Sequence, residues 1–301
     1  MRLAVILVNW RNEEQTLRCV RAVNRWQTLK PQLLVIDNQS TEATCRTLAA
    51  ALGPDELVCS PTNRGYGGGN NLGIRRALAA KRNYILLLNA DAEISETGVS
   101  RLLDRLDTNP EISILGPIIH EGDHERTQCL IGGRDIARYS STRIVAPTCG
   151  LKSLPTYPLH EVDYVSGTVF LARRSVFEDV GLLDEQYFFS GEIADFCKRA
   201  SARRHKVCVD LAVEARHDIG QTPPQFRETL YVYYSLRNRL LYVRKHHPSE
   251  KNKYFAQWTK TGGLELARAV IGWKMAKARA ILLALAHAYT NRYGNQNAKF
   301  T

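Results

Sequence analysis

The sequence predicts an α/β protein: a mostly parallel sheet with helices on both faces, followed by a basic helical appendage. Three observations carry this expectation. Short β-branched apolar runs alternate with helix-like spacing through the first third of the chain, each run ends in polar or Gly-rich residues, and from about Phe226 to near Asn291 only helical spacing remains. With 301 residues, 44% hydrophobic and 24% charged, the chain has the makings of a large core, which excludes disordered, collagen-like and disulfide-scaffold classes.

The runs are LAVILV (3–8), LLVID (33–37), ELVCS (56–60) and YILLLN (84–89). Apolar residues on consecutive positions imply strands buried on both faces, hence a parallel sheet with right-handed crossovers. Between Gly116 and Pro158 turn residues blur the period, and mixed strands and loops are expected there. Order returns with a strand from about Thr168 to Ala172, a short helix, a helix from about Gly191, and a strand at KVCVD. The helical pattern after this is interrupted at Pro248 and Gly262-Gly263, which divides the chain into a catalytic-type domain, 1–225, and a C-terminal region, 226–301.

Charge follows the same division. The net charge is +11; residues 231–301 hold 13 Lys/Arg against Glu250 and Glu265, so the earlier part is balanced. A balanced α/β portion without a helix-turn-helix or RNA-recognition signature is not expected to bind nucleic acid. Seven cysteines (Cys19, Cys45, Cys59, Cys129, Cys149, Cys197, Cys208) without a C-x-x-C pair argue against a disulfide framework or a thiolate zinc site, and for a reduced, cytoplasmic setting. The N-terminal apolar run is too short for a signal-peptide core, and no stretch approaches the ~18 to 20 apolar residues of a membrane span. From Leu264 to Arg292, however, apolar residues (Leu266, Val270, Ile271, Trp273, Ile281, Leu282, Leu285) mix with Arg268, Lys274, Lys277 and Arg279. That pattern suits an amphipathic helix on anionic lipid, or a core-packed helix with a solvated face.

In open α/β sheets ligands bind beyond the carboxyl ends of the strands. Asp37 closes the second strand and points into that crevice, while Asn38 and Ser40 can cap the next helix. NRGYGGGNNLGI, from Asn63, suggests a Gly-rich loop opening a helix, suited to a diphosphate; it is neither a phosphate-binding Gly-Lys-Ser/Thr loop nor a dinucleotide fingerprint. Asp91, in Asn89-Ala90-Asp91, emerges from a strongly apolar strand and is read as a ligand for Mg2+ or Mn2+, ions that bridge carboxylates to substrate phosphates. Glu192 and Asp195 share a face of the predicted helix behind Phe188-Phe189-Ser190-Gly191, where apolar surroundings raise a carboxylate's pKa and suit it to accept a proton. His217 is a candidate second metal ligand or diphosphate contact, and Arg237-Asn238 could hold a phosphate bidentately.

The order of motifs VILVNWRN, VIDNQST, NRGYGGGNNLGI, LLLNADAEI, GTVFLARRSVFEDVGLLDEQYFFSGEIADFCKRA and ARHDIG, over about residues 1–245, resembles the rhamnosyltransferase-like group of family 2 inverting glycosyltransferases. The resemblance implies a GT-A fold, a nucleotide-diphospho-sugar donor, a divalent metal, and a saccharide or lipid-linked acceptor in cell-surface polysaccharide or glycolipid synthesis. By that likeness Asp37 contacts the base, and Asn9 with the Asn63–Asn70 segment, including Gly65, contacts the nucleotide. Asn89 and Asp91 stand at the D-x-D-like metal motif, and His217 lies near metal and diphosphate. Many members carry Glu-Asp at the start of the late helix, the Asp being the usual base, where this chain has Glu192-Ile193. Glu192 and Asp195 therefore remain the two candidates for the base. A non-catalytic nucleotide-sugar-binding relative and a nucleic-acid-binding α/β protein are the alternative readings.

Overall fold

The computed structural model describes residues 2–122, 128–146, 158–218 and 224–300, with side chains of 224–228 left aside. The chain runs β1 (Leu3–Asn9), α1 (Glu13–Asn24), β2 (Gln32–Asn38), α2 (Glu42–Ala51), β3 (Leu57–Ser60), α3 (Gly65–Ala79), β4 (Tyr84–Asn89), β5 (Ala92–Ile94), α4 (Glu96–Thr108), β6 (Ile112–Glu121), β7 (Gln128–Gly133), β8 (Arg143–Val145) and β9 (Leu159–Glu161). It continues through β10 (Val169–Arg173), α5 (Arg174–Val180), α6 (Glu192–Ala202), β11 (Lys206–His217), α7 (Pro224–His246), α8 (Lys251–Ile271) and α9 (Met275–Tyr289). The strand order is β3-β2-β1-β4-β10-β6-β11-β5. The four leading strands are parallel, β10 is antiparallel to both β4 and β6, and β11 runs parallel to β6.

The unbroken apolar runs have the predicted cause. Along β1, Leu3, Val5 and Leu7 enter the layer completed by α1 and α4, while Ala4 and Ile6 enter the opposite layer with α3, α5 and α6. Each fully buried Leu, Ile or Val contributes about 1.5–3 kcal/mol, so both faces must be covered. The glycines of α3 serve this packing. A Cβ at Gly73 would stand 2.6 Å from Ile6 Cγ2, and one at Gly69 would stand 2.9 Å from Val8 Cγ1. The expected Gly-rich loop is thus the first turns of a helix lying close on the sheet, a correction that follows from steric need for small residues.

Three further expectations change. The Gly262-Gly263 pair does not break the helix: α8 runs through it because Gly262 lies against Leu236, and the break falls at 272–274. Cys45 of α2 and Cys59 of β3 form a disulfide with Cα atoms 6.8 Å apart, and Cys129 is also disulfide-bonded, contrary to the spacing argument. Spacing reveals only local pairs, whereas the β2-α2-β3 crossover brings together residues 14 apart. Cys149 lies outside the described residues. Part of the irregular 116–158 stretch resolves into the β6-β7-β8 ribbon, and 123–127 and 147–157 lie outside the described residues.

The boundary near 225 falls at the start of α7, beside 219–223, which are not described. Leu240, Leu241, Tyr242 and Val243 of α7 share a core with Tyr187 and Ala194, and with Tyr254, Phe255 and Trp258 of α8. Tyr233 and Tyr234 pack with Phe188 and with Ala280 and Ala284 of α9. The C-terminal helices thus form the wall behind residues 187–194. Of the basic amphipathic stretch, Ile281 is core, while Val270, Ile271, Trp273 and Leu282 are exposed. Among the described residues no helix is long and apolar enough to cross a membrane.

Candidate active site

Strand register builds the first part of the site. Asn9 pairs with Asp37 on one side of β1 and Val8 with Asn89 on the other, so the carboxyl ends of β2, β1 and β4 are level. Beyond them lies a cavity of about 430 Å3 lined by Asn9, Trp10, Asn63, Gly65, Asn89 and Asp91, among others. Asn9 Nδ2 donates to Asp37 Oδ1 (2.8 Å) and Ser40 Oγ (3.1 Å), and Thr16 Oγ1 donates to Asn9 Oδ1 (2.8 Å). Asp37 is 2% exposed and is not among the lining residues. Its carboxylate holds Asn9, which lines the cavity, in place.

Asn38 organises the neighbouring turn. It accepts from the Arg64 backbone N–H (2.9 Å) and donates to Asn63 Oδ1 (3.2 Å) and Gly65 O (3.0 Å). Gly65 has φ +70°, and a Cβ there would stand 2.0 Å from the Phe188 carbonyl oxygen, so only glycine lets α3 begin against that segment. Asn70, expected at the nucleotide, is buried and donates to Tyr66 O within α3 (3.0 Å). Asn71, not singled out from sequence, instead grips the 183–185 segment through Leu183 N–H (3.1 Å) and Leu183 O (2.9 Å).

β11 delivers the next component. Its last residue, His217, pairs with Glu121 of β6 and with Ala92 of β5, the residue after Asp91. His217 Nε2 stands 3.2 Å from Asp91 Oδ1, and Nδ1 stands 3.0 Å from Glu121 Oε1. Octahedral neighbours at Mg2+ or Mn2+ distances of about 2.1 Å are about 3 Å apart, so the Asp91 oxygen and His217 nitrogen suit one divalent ion. Glu121 would then orient the ring from behind, as a ligating histidine requires. Were such an ion bound, Asp91 and His217 would hold it and leave room for substrate oxygens and water. Glu121 escaped the sequence reading because nothing local marks it; only pairing of β6 with β11 reveals it.

A second cavity, of about 780 Å3, adjoins the first through Tyr66, Asn89 and Phe189. Glu192, first residue of α6, lines it and is 4% exposed, and its Oε2 has no hydrogen-bond partner among the described residues. Burial pushes its pKa up to about 7, against backbone N–H groups of 190 and 192 that pull it down, with the Asp195 charge adding to the rise. Ile193, beside it, completes an apolar wall.

Asp195 has a different environment. It is fully buried and receives Arg199 Nε (2.8 Å), His246 Nε2 (2.8 Å), Tyr187 OH (3.2 Å) and Lys245 Nζ. Burial would raise its pKa, but the His246 hydrogen bond and the Arg199 and Lys245 charges hold it well below the ordinary carboxylate range. It does not line the cavity. An encased, strongly acidic carboxylate cannot reach an acceptor hydroxyl, so the alternative base becomes a structural anchor.

Arg237 also moves from ligand binding to architecture. It is fully buried, and its guanidinium donates to the carbonyls of Gly294 (2.8 Å), Gln186 (3.2 Å) and Tyr187 (2.9 Å). Asn238 Nδ2 adds bonds to the carbonyls of Tyr187 (2.9 Å), Phe189 (2.9 Å) and Ser190 (2.6 Å). Together they clamp the turn before Glu192, in which Phe188 and Ser190 have positive φ. Two other cations line the cavity, Arg239, two residues on, and Arg143.

The family described as "Glycosyl transferase family 2" matches residues 4–181. The low-salt glycan biosynthesis hexosyltransferase Agl10 of Haloferax volcanii is 28% identical over 244 residues, covering 79% of this chain and 74% of that protein. The dTDP-rhamnosyl transferase RfbF of Shigella flexneri is 24% identical over 222 residues, 71% of each chain. The mannosyltransferase PcManGT of Pyrobaculum calidifontis, solved with GDP-Man and Mn2+, superposes with a TM-score of 0.59 at 11% identity, covering 97% of this chain and 88% of that one. With the GT-A sheet and a family match spanning more than half its length, the chain belongs to glycosyl transferase family 2, whose members move a sugar from a nucleotide-sugar donor with inversion.

Proposed function

We propose that Glu192 is the base of this inverting transfer, that the cavity at the ends of β1, β2 and β4 takes the nucleoside diphosphate, and that the larger cavity takes the acceptor. The observation that carries this is Glu192 itself: a buried carboxylate with an oxygen unpartnered among the described residues, a pKa near 7, and a place on the wall of a chamber that shares Tyr66, Asn89 and Phe189 with the cavity lined by Asp91 and His217. Asp91 and His217 would hold Mg2+ or Mn2+, which when bound neutralises charge on the leaving diphosphate. Asn9 and the Asn63–Gly65 turn, fixed by Asp37 and Asn38, position the nucleotide. Glu192 takes the acceptor's hydroxyl proton as that oxygen attacks the anomeric carbon from the face opposite the diphosphate. The new C–O bond forms as the old one breaks, the bonding pair leaves with the diphosphate, and the proton stays on Glu192.

The acceptor is a saccharide or lipid-linked saccharide, met at an anionic membrane surface on its cytoplasmic side. What supports the membrane contact is the corner between α8 and α9, where Ile271 is 79% and Trp273 87% exposed amid Arg268, Lys274 and Lys277. A panel of nucleoside diphosphates and nucleotide sugars, each with and without Mn2+ or Mg2+, tests the donor half by thermal shift. Metal-dependent stabilisation by one base series is expected, and the hit then serves as donor for an anomer assignment by proton NMR. No shift with any member, or a product that retains configuration, would refute the reading.

A further inference from the structure

A continuous chain of side-chain contacts joins the larger cavity to Asp91 and His217, and its outer member, Arg143, has no part in the reaction as described. Glu121, last residue of β6, divides its oxygens: Oε1 stands 3.0 Å from His217 Nδ1, and Oε2 meets the Arg143 guanidinium. His217 Nε2 in turn stands 3.2 Å from Asp91 Oδ1. Arg143 and Glu121 line the larger cavity, whereas Asp91 and His217 line the smaller one. The chain therefore starts on the wall of one chamber and ends in the other.

Strand pairing alone does not fix this geometry. The register of β6 and β11 sets Glu121 opposite His217, but a glutamate side chain at a strand end keeps its rotamer freedom. Arg143 removes that freedom. It enters from the β6-β7-β8 ribbon, near enough to Tyr164 and Tyr231 for their hydroxyl-bearing rings to act on its charge, and by holding Oε2 it leaves Oε1 to the ring of His217. A carboxylate that faces a guanidinium only accepts, so a neutral His217 carries its proton on Nδ1 and turns the lone pair of Nε2 toward Asp91, the form a ligating histidine needs. Charge matters as well as shape. The Glu121 side chain is 15% exposed, and a carboxylate so far withdrawn from water needs a counter-charge, which neutral imidazole cannot give and Arg143 does.

We infer that Arg143 is a positioning residue for the divalent cation: from the wall of the larger cavity it fixes Glu121, and through Glu121 the ring of His217, so that the ion meets His217 and Asp91 already aligned. This rests on the assignment of Asp91 and His217 to Mg2+ or Mn2+. Among the described residues no hydrogen bond or ion pair joins Arg143 directly to Asp91 or His217, so its influence on the ion passes through Glu121.

The test titrates Mn2+ into the full chain, alone and with the nucleoside diphosphate that the donor panel identifies, and follows the electron paramagnetic resonance of the ion. The native chain is expected to bind Mn2+ and Asp91→Asn to lose that binding. Arg143→Gln should bind about tenfold more weakly, the lower end of the roughly 10 to 100-fold typical of groups behind a metal ligand. Arg143→Lys should recover part of the loss, because an ammonium restores the charge without the planar fork. Glu121→Ala should lose at least as much as Arg143→Gln, and adding Arg143→Gln to it should change nothing further, as holds where one residue acts only through another. Native affinity in Arg143→Gln, or a second loss of equal size on top of Glu121→Ala, overturns the inference. Asp91→Asn separates the failures. If the native chain binds no Mn2+ under either condition, or Asp91→Asn binds it as the native chain does, the metal assignment falls and this inference with it; if Asp91→Asn loses the ion and Arg143→Gln does not, this inference falls alone. The Arg143 side chain is 44% exposed, so its variants should melt like the native chain without metal, which shows that they are folded.

Discussion

The two chambers sit side by side on the same sheet edge, yet they treat polar groups in opposite ways. Around the smaller cavity, proposed for the donor, the polar side chains satisfy one another: Asp37, Asn9, Ser40 and Thr16 form one closed network, and Asn38, Asn63 and Gly65 another. Around the larger cavity, proposed for the acceptor, Glu192 has an oxygen with no partner among the described residues. Buried polar groups normally find partners, so the first arrangement is that of a rigid mould and the second leaves one carboxylate oxygen open to a ligand. The same contrast recurs within one helical turn. Glu192 and Asp195 lie three apart on α6, but one faces a cavity and the other is enclosed by four donors, which drives their acidities in opposite directions.

The largest effect that can break this contrast is Glu192→Gln. General-base assistance is worth about 100 to 10,000-fold, so turnover should fall by that order while nucleoside diphosphate affinity is retained. The pH profile sharpens the test. A base must be deprotonated, and burial lifts Glu192 to about 7, so the native rate should rise through pH 7 and flatten above it. The glutamine variant should lose that limb. Steady-state rates between pH 5 and 9 check both; full turnover in the variant would remove Glu192 from the chemistry.

Asp195→Asn probes the opposite member of the pair. Removing one partner of a buried charge network costs about 3–5 kcal/mol, here because Arg199, Lys245 and His246 lose their shared anion. Stability should drop accordingly in chemical denaturation, while the rate per folded molecule changes little. The sign with pH follows from the lowered acidity constant: the stabilising contribution is present at neutral pH and fades only as pH falls below the ordinary carboxylate range. A variant that is fully stable but inactive would transfer the base to Asp195.

Much of this was legible in the chain. The four apolar runs gave their strands because burial on both sheet faces leaves a signal within each segment, and Asp91, Glu192 and His217 stand at element ends where local pattern can point to them. What the pattern could not supply was partnership across long separations. Asp37 and Arg237 carry the right chemistry for ligands but are engaged by residues 3 to 57 positions away. Glu121, Arg239 and the Cys45–Cys59 disulfide acquire meaning only when β6 meets β11, α7 lies along the chamber, and β3 pairs with β2. Glycines misled for the same reason: a run that reads as flexible in isolation is a packing surface once Ile6 and Val8 lie beneath it.

The smallest expected effect concerns how the acceptor chamber meets its substrate. If the α8–α9 corner enters a bilayer surface, its exposed Ile271 and Trp273 supply the apolar part and Arg268, Lys274 and Lys277 the attraction to anionic headgroups, at about 1 kcal/mol per basic residue near the surface. Glu265 subtracts from this, since it is bonded to both Arg268 and Lys277. Sedimentation with anionic vesicles should therefore show salt-sensitive binding that is absent with zwitterionic ones. Trp273→Ser with Ile271→Ser should reduce it roughly tenfold without changing the melting temperature, because both side chains are exposed and few contacts are lost. Equal partitioning of native and doubly substituted chains would detach the corner from the membrane. The catalytic contrast between the two chambers would stand regardless, since neither side chain lines either cavity.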